Sequence, residues 1–144
     1  MTNRSLLLPC LLMAIVGCGG APADPTTTDA NHARLPVVSG SQLTQYVQAS
    51  DSPVLVEFGV DFNCPRCAQT KRDVMRLRDT LQGDIDVIRV DFNANAQTVA
   101  ELGGTVCPTY VLFDRGNPVL TRSFPVSIEL LEGEILRQTA DSGK

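Results

Sequence analysis

The stretch VLVEFGVDFNCPRC, residues 54–67, decides the fold of this 144-residue chain. Its first six residues, Val54 to Gly59, form a nearly continuous apolar run, which is typical of a strand buried on both faces. A C-x-x-C pair follows, with Pro65 at a position where the first turn of a helix tolerates its missing N–H group. The stretch therefore predicts a buried strand that leads into a helix with Cys64 and Cys67 at its start.

The pattern on either side of this stretch predicts alternating helices and strands. Apolar residues at helical spacing continue the helix from Val74 to Leu81, and Gly83 ends it. The other predicted elements are helices over 41–49, 98–102 and 127–137, and strands over 85–92, 109–113 and 119–124. The strand–helix–strand unit implies a parallel pair, and the last two strands a hairpin. The predicted fold class is α/β, with a mixed central β-sheet flanked by α-helices.

The charge and the histidine content exclude several classes of function. The chain carries 12 Lys and Arg against 16 Asp and Glu, a net charge of −4, and its basic residues form no block. This argues against a nucleic-acid surface. The single histidine, His32, precedes the predicted domain, so a histidine-based metal site or catalytic triad is not expected inside it.

The first residues of the chain predict a targeting segment. A short basic start with Arg4 is followed by an apolar run from Leu6 to Val16, which is too short to span a bilayer but fits a signal peptide. The run ends in Ile15-Val16-Gly17-Cys18, which resembles the lipobox of bacterial lipoproteins. The resemblance implies cleavage before Cys18 and lipidation of that residue. The alternative is an ordinary secretory signal in which Cys18 has no role.

These features predict three parts of the chain: a lipoprotein signal peptide over 1–17, a lipidated cysteine and flexible tether over 18–36, and a folded domain over 37–144. The tether is predicted because residues 19–36 are poor in apolar side chains and show no periodicity. The expected location is the bacterial cell envelope, facing the periplasm. With Gly19 directly after the cysteine, the segment resembles that of lipoproteins directed to the outer membrane. Disulfides persist in that compartment, so a C-x-x-C pair there can be a redox centre.

The predicted position of the cysteine pair has chemical consequences. Cys64 is expected at a helix N-terminus, where unpaired backbone N–H groups and the helix dipole favour its thiolate. The thiolate is the form that attacks a disulfide, and Cys67, one turn deeper, can resolve the mixed disulfide. Arg66 adds a positive charge close to the pair.

Residues from about 41 to 137 resemble the thioredoxin superfamily. The matching pieces are the apolar strand with an acidic residue, the C-x-x-C pair that opens a helix, and Val106-Cys107-Pro108-Thr109 before a strand. The resemblance implies a thioredoxin-like fold and a protein thiol–disulfide oxidoreductase whose Cys64–Cys67 pair is the redox-active disulfide, without another cofactor. It implies that Pro108 is a cis-proline, and that the backbone of Cys107 pairs with an extended substrate peptide beside Pro65 and Arg66. The implied partners are protein thiols or disulfides and a separate redox partner.

Glu57 resembles the buried acid behind the active site of this family. In that role, burial would raise its pKa, and the carboxyl would move a proton to or from Cys67. The alternative is a partly exposed strand carboxylate. The chain departs from the family just before the pair, where Asn63 replaces the usual aromatic residue and Phe62 is the nearest aromatic side chain.

Cys107 leaves an uneven number of thiols in the domain. It can be a small buried hydrophobic residue, as free cysteines often are. It can also be a third redox thiol, or one ligand of a three-sulfur metal site with Cys64 and Cys67. The alternative function is therefore a protein that binds or delivers copper(I) or zinc. A third alternative is an interaction module that kept the fold and lost the chemistry.

Overall fold

The computed structural model describes the backbone of residues 34–142 and the side chains of residues 34–140. The predicted signal peptide, Cys18 and all but the last three residues of the predicted tether lie outside this range. The chain forms α1 (Gly40–Ala49), β1 (Val54–Gly59), α2 (Pro65–Leu81), β2 (Asp86–Asp91), a 3-10 turn (Asn93–Asn95), α3 (Ala96–Glu101), β3 (Thr109–Asp114), β4 (Asn117–Ser123) and α4 (Ile128–Ser142).

The four strands form one mixed sheet in the order β2-β1-β3-β4. β1 pairs in parallel with β2 and antiparallel with β3, and β3 and β4 form an antiparallel hairpin. This confirms the predicted α/β fold with a mixed central sheet. β1 has the predicted bounds, while the helix predicted over 98–102 begins two residues earlier, at Ala96.

Helices cover both faces of the sheet and create two apolar layers. One layer, here the α2/α4 core, contains Leu55 of β1 and the inward faces of α2 and α4. The other layer, here the α1/α3 core, contains Val56 and Phe58 of β1 together with residues of α1 and α3. Successive side chains of a strand point to opposite faces, so β1 contributes to both layers.

β2 is also buried on both faces, which refines the sequence prediction. Ile85, Val87 and Val90 are apolar residues within the strand predicted over 85–92, and all three are buried. However, Val87 lies in the α2/α4 core and Val90 in the α1/α3 core, while Ile85 precedes the strand.

A short N-terminal segment lies along the outer edge of β2. The Arg89 backbone N–H donates to the Pro36 carbonyl at 2.8 Å, and the Val38 backbone N–H donates to the Arg89 carbonyl at 2.9 Å. This segment therefore belongs to the folded domain. Within residues 34–142, none of the helices is long and apolar enough to cross a membrane.

Candidate active site

The cysteine pair lies where β1 gives way to α2. Cys64 is the N-cap residue of α2 and Pro65 is in its first turn, as the sequence predicts. The Cys67 backbone N–H donates a hydrogen bond to Cys64 Sγ at 3.1 Å. Cys64 is partly exposed, whereas Cys67 is buried in the first turn, and the two form a disulfide. The sulfur that a substrate can reach is therefore that of Cys64.

Cys107 comes from the loop before β3 and lies against both sulfurs of the pair. Its Sγ is 3.1 Å from Cys67 Sγ and 3.7 Å from Cys64 Sγ. It is a free thiol and only partly buried. Burial raises the pKa of the Cys107 thiol, and the negative charge of Glu57 raises it further, against the opposing hydrogen bond from the Val60 backbone.

The loop that carries Cys107 is held from both ends. The Cys107–Pro108 peptide bond is cis, as the resemblance implies, and Pro108 is buried. The Thr109 hydroxyl donates to the Val106 carbonyl at 2.7 Å. The Phe124 backbone N–H donates to the Pro108 carbonyl at 3.0 Å. These bonds fix the backbone around Cys107 beside the cysteine pair.

Glu57 lies on the face of β1 that α2 covers, and it is completely buried. Its partner is Arg89, directly across in β2, whose Nε and Nη2 both donate to Glu57 Oε2, at 2.8 and 2.6 Å. The Nη1 of Arg89 also contacts Asp61 Oδ1 at 2.6 Å. Glu57 Oε1 is buried without a hydrogen-bond partner among the described residues. The alternative of a partly exposed carboxylate is therefore wrong.

Two opposing effects act on the Glu57 carboxyl. Burial disfavours its charged form and raises its pKa, and the guanidinium of Arg89 opposes this increase. The effect of burial is the larger, so the pKa of Glu57 lies above its ordinary value. Its partner Arg89 was not predicted from the sequence. A signal existed, because Glu57 and Arg89 are each the fourth residue of neighbouring apolar strands that pair from their first residues.

A groove of about 750 Å³ opens beside Cys64, and both Pro65 and Arg66 line it. Phe62, at its rim, exposes 84% of its surface. Asn63 has a φ of 58°, a left-handed conformation that asparagine adopts more readily than bulky residues. The guanidinium of Arg66 lies 5.9 Å from the centroid of the Phe124 ring. The left-handed backbone at Asn63 therefore favours asparagine over a bulky residue.

The comparisons with known proteins agree with this geometry. The sequence profile of the thioredoxin family matches residues 34–131. The chain belongs to the thioredoxin family. It is 32% identical over 79 residues to a thioredoxin of Rickettsia conorii, a match that covers 55% of this chain and 74% of the relative. It is also 32% identical over 82 residues to thioredoxin 1 of a Nostoc species, covering 57% and 76%.

This thioredoxin-family protein is a thiol–disulfide oxidoreductase. Its membership of the family and the bonded pair Cys64 and Cys67 together support that activity. The alternative of an interaction module without the chemistry is therefore wrong.

The site of this thioredoxin-family protein gathers almost every residue that the sequence singled out. Cys64, Cys67 and Cys107 meet at one point, the cis-proline Pro108 follows Cys107, and Pro65 and Arg66 line the adjoining groove. Glu57 lies behind them within the sheet. Two residues of the site were not predicted from the sequence: Asp61, which extends the ion pair to the groove, and Phe124, whose ring lies under Arg66.

Proposed function

We propose that this protein is an envelope-anchored oxidoreductase that acts on cysteines of other proteins through its Cys64-Pro65-Arg66-Cys67 motif. The observation that carries the proposal is the position of Cys64 at the N-cap of α2, with the Cys67 N–H donating to its sulfur at 3.1 Å. This donor and the positive end of the helix dipole both stabilise a thiolate. Cys64 is accordingly the sulfur that exchanges with substrates.

The proposed reaction moves two electrons through one mixed disulfide. In the oxidising direction, a substrate thiolate attacks Cys64 Sγ, the Cys64–Cys67 bond breaks, and Cys67 leaves as a thiolate. A second substrate thiolate then attacks the substrate sulfur of the mixed disulfide and releases the Cys64 thiolate. In the reducing direction, the Cys64 thiolate attacks a substrate disulfide and Cys67 then displaces the substrate. The redox-active disulfide is the only redox group that these steps need.

In this proposal, Glu57 donates the proton that Cys67 gains in the cycle and accepts the proton that Cys67 loses. The Oε1 of Glu57 is the oxygen available for this role, because Arg89 occupies Oε2. The raised pKa of the buried carboxyl supports the assignment, since a proton carrier works best when its pKa is close to the ambient pH.

The substrate is proposed to lie as an extended peptide in the groove beside Cys64. The backbone of Cys107, held next to the cis-proline Pro108, would pair with the peptide as a neighbouring strand does. Pro65 and Arg66 would contact the flanking substrate residues, because both are exposed and line the groove. The partners are thus protein thiols or disulfides, with a separate redox protein that restores the pair.

The anchor is proposed to be lipid on Cys18, which places the domain at the periplasmic side of a bacterial membrane. The lipobox-like segment Ile15-Val16-Gly17-Cys18 supports this assignment. Mass spectrometry of the protein extracted from membranes should find acyl chains on Cys18. In Cys18→Ser the domain should leave the membrane fraction, and a variant that stays membrane-bound without acylation would contradict the proposal.

Trapping of substrates tests the thiol chemistry. Cys64→Ser should abolish turnover of a disulfide-bonded test protein. Cys67→Ser combined with Cys107→Ser should instead accumulate a mixed disulfide on Cys64, because both neighbouring thiols that could release it are absent. Trapping by the Cys64→Ser variant, or turnover that survives this substitution, would overturn the assigned roles.

Titration of the cysteine pair in glutathione buffers decides the direction of electron flow. A potential near about −120 mV would make the protein an oxidant, and one near about −270 mV would make it a reductant.

A further inference from the structure

The position of Cys107 argues against direct exchange with the resting disulfide. A thiolate attacks in line with the sulfur–sulfur bond that it breaks. With a bond of about 2.05 Å, a sulfur in line with it and 3.1 Å from Cys67 Sγ would lie about 5.1 Å from Cys64 Sγ. Cys107 Sγ lies 3.7 Å from Cys64 Sγ instead. The third thiol therefore sits beside the disulfide and not at its end.

A sulfur beside the pair is well placed to share a metal ion with it. The three Sγ atoms lie within 4.8 Å of one another. Sulfurs around an ion with metal–sulfur bonds of about 2.3 Å are about 3.8 to 4.0 Å apart. Reduction frees Cys64 and Cys67 to separate to such a distance, and Cys107 needs to move by less than about 1 Å to match it.

The donor set selects among the metals. Thiolates are soft ligands that favour copper(I), zinc and iron–sulfur clusters. The cluster offers three sulfurs, and residues 34–142 contain no histidine to add a nitrogen ligand. The carboxylate of Glu57, behind the cluster, does not belong to this group of ligand atoms within 4.8 Å of one another, and its Oε2 is held by Arg89. Structural zinc sites have four protein ligands, and catalytic zinc sites with three add a water molecule. Copper(I) is the softer ion and is held by thiolates alone.

We propose that the reduced protein binds one copper(I) ion through the sulfurs of Cys64, Cys67 and Cys107. Binding replaces the protons of the three thiols by the ion, and no electrons are transferred. The N-terminus of α2 and the side chain of Arg66 supply positive charge next to the resulting anionic site. Because the disulfide removes two of the three ligands, the oxidised protein cannot hold the ion.

The test uses the full chain with Cys10→Ser and Cys18→Ser, so that only Cys64, Cys67 and Cys107 remain of its five cysteines. The protein is reduced with a phosphine and offered copper(I) without oxygen, against a coloured chelator of known affinity. We expect one copper(I) per chain. Cys107→Ser should lower the affinity more than about 100-fold, since losing a ligand exceeds the effect of losing an outer-shell partner.

Two controls make the result specific to the three-sulfur site. The Cys107→Ser variant should still form the Cys64–Cys67 disulfide, and its cooperative unfolding in urea should show that it remains folded. The oxidised parent protein should leave all copper with the chelator. This disulfide measurement is independent of copper, so failure of the metal site is distinguishable from failure of the proposed oxidoreductase.

Three results would overturn the proposal. Equal copper affinity in the parent and in Cys107→Ser would place the ion on the C-x-x-C pair alone. Loss of all copper to the chelator would exclude the site. A parallel competition in which zinc is held and copper(I) is not would exclude the assignment to copper(I).

Discussion

The two faces of the sheet differ where they approach the active site. On the face of β1 towards the α1/α3 core, Val54, Val56 and Phe58 are all apolar and buried. On the opposite face, Leu55 is followed by the charged Glu57, which pairs with Arg89 of β2. A buried ion pair is weak evidence for stability, because desolvation opposes its attraction. The comparison indicates that one face is built for packing and the other, at its cysteine end, for chemistry.

The largest effect is expected on the apolar face. Phe58→Ala leaves a cavity in the α1/α3 core, and we expect the free energy of unfolding to fall by about 3–5 kcal/mol. Urea unfolding of the oxidised protein measures it. The buried residues of that cluster do not titrate, and Tyr46, which packs against it, stays neutral because its pKa is raised. The loss should therefore be the same at acidic and neutral pH. A loss that varied steeply with pH would show that the two faces are not independent.

A loss of similar size, which protonation of Glu57 can reduce, is expected from removal of the cation on the opposite face. Arg89→Met leaves Glu57 buried without its partner, and breaking such a pair typically costs about 3–5 kcal/mol. Protonation of Glu57 relieves part of this loss, so it should shrink as the pH falls. The double variant Glu57→Gln/Arg89→Met should regain stability relative to Arg89→Met. If the two substitutions were additive instead, the pair would not be coupled.

A third effect is the dependence of stability on pH, which is expected from the face that carries Glu57 and not from the apolar face. Burial raises the pKa of Glu57, so the folded protein keeps this proton at pH values where the unfolded chain has lost it. Stability of the parent should therefore fall as the pH rises from the ordinary pKa of glutamate through the raised one. Glu57→Gln lacks this dependence, so its stability relative to the parent should increase across the same range. Unfolding measured from about pH 4 to about pH 8 checks the sign, and an opposite trend would mean that Arg89 outweighs burial.

The smallest effect on stability is expected at Asp61, the exposed end of the ion-pair network that Glu57 and Arg89 form. Asp61 contacts Arg89 but is half exposed, and exposed ion pairs contribute about 0.2–1 kcal/mol. Asp61→Asn should therefore lower the free energy of unfolding by less than about 1 kcal/mol. The loss should vanish in high salt, whereas that of Arg89→Met should persist. A larger loss that persists in high salt would mean that Asp61 acts as part of the buried ion pair of Glu57 and Arg89.

The fold was predictable because its signals are local. The apolar run from Val54 to Gly59 and the proline after Cys64 define a strand end and a helix start within a dozen residues. The pairing of Glu57 with Arg89 depends on strand register across 32 residues of chain, and the predicted strand bounds leave this register open. The separation of Cys107 from Cys67, 3.1 Å, likewise depends on how a distant loop is held. The sequence thus predicted that the three cysteines lie close together, but neither the partner of Glu57 nor the geometry that decides among the roles of Cys107.

The segment of residues 36–38, which lies along the outer edge of β2, affects the tendency of this protein to aggregate. An uncovered strand edge presents unpaired N–H and C=O groups, and these invite a strand of a second molecule. On β2, the backbone N–H and C=O of Arg89 are hydrogen-bonded to Pro36 and Val38. At the other side of the sheet, β4 carries Pro118, which lacks an N–H group to offer. Copies of the domain at high concentration are thereby protected against joining edge to edge into aggregates.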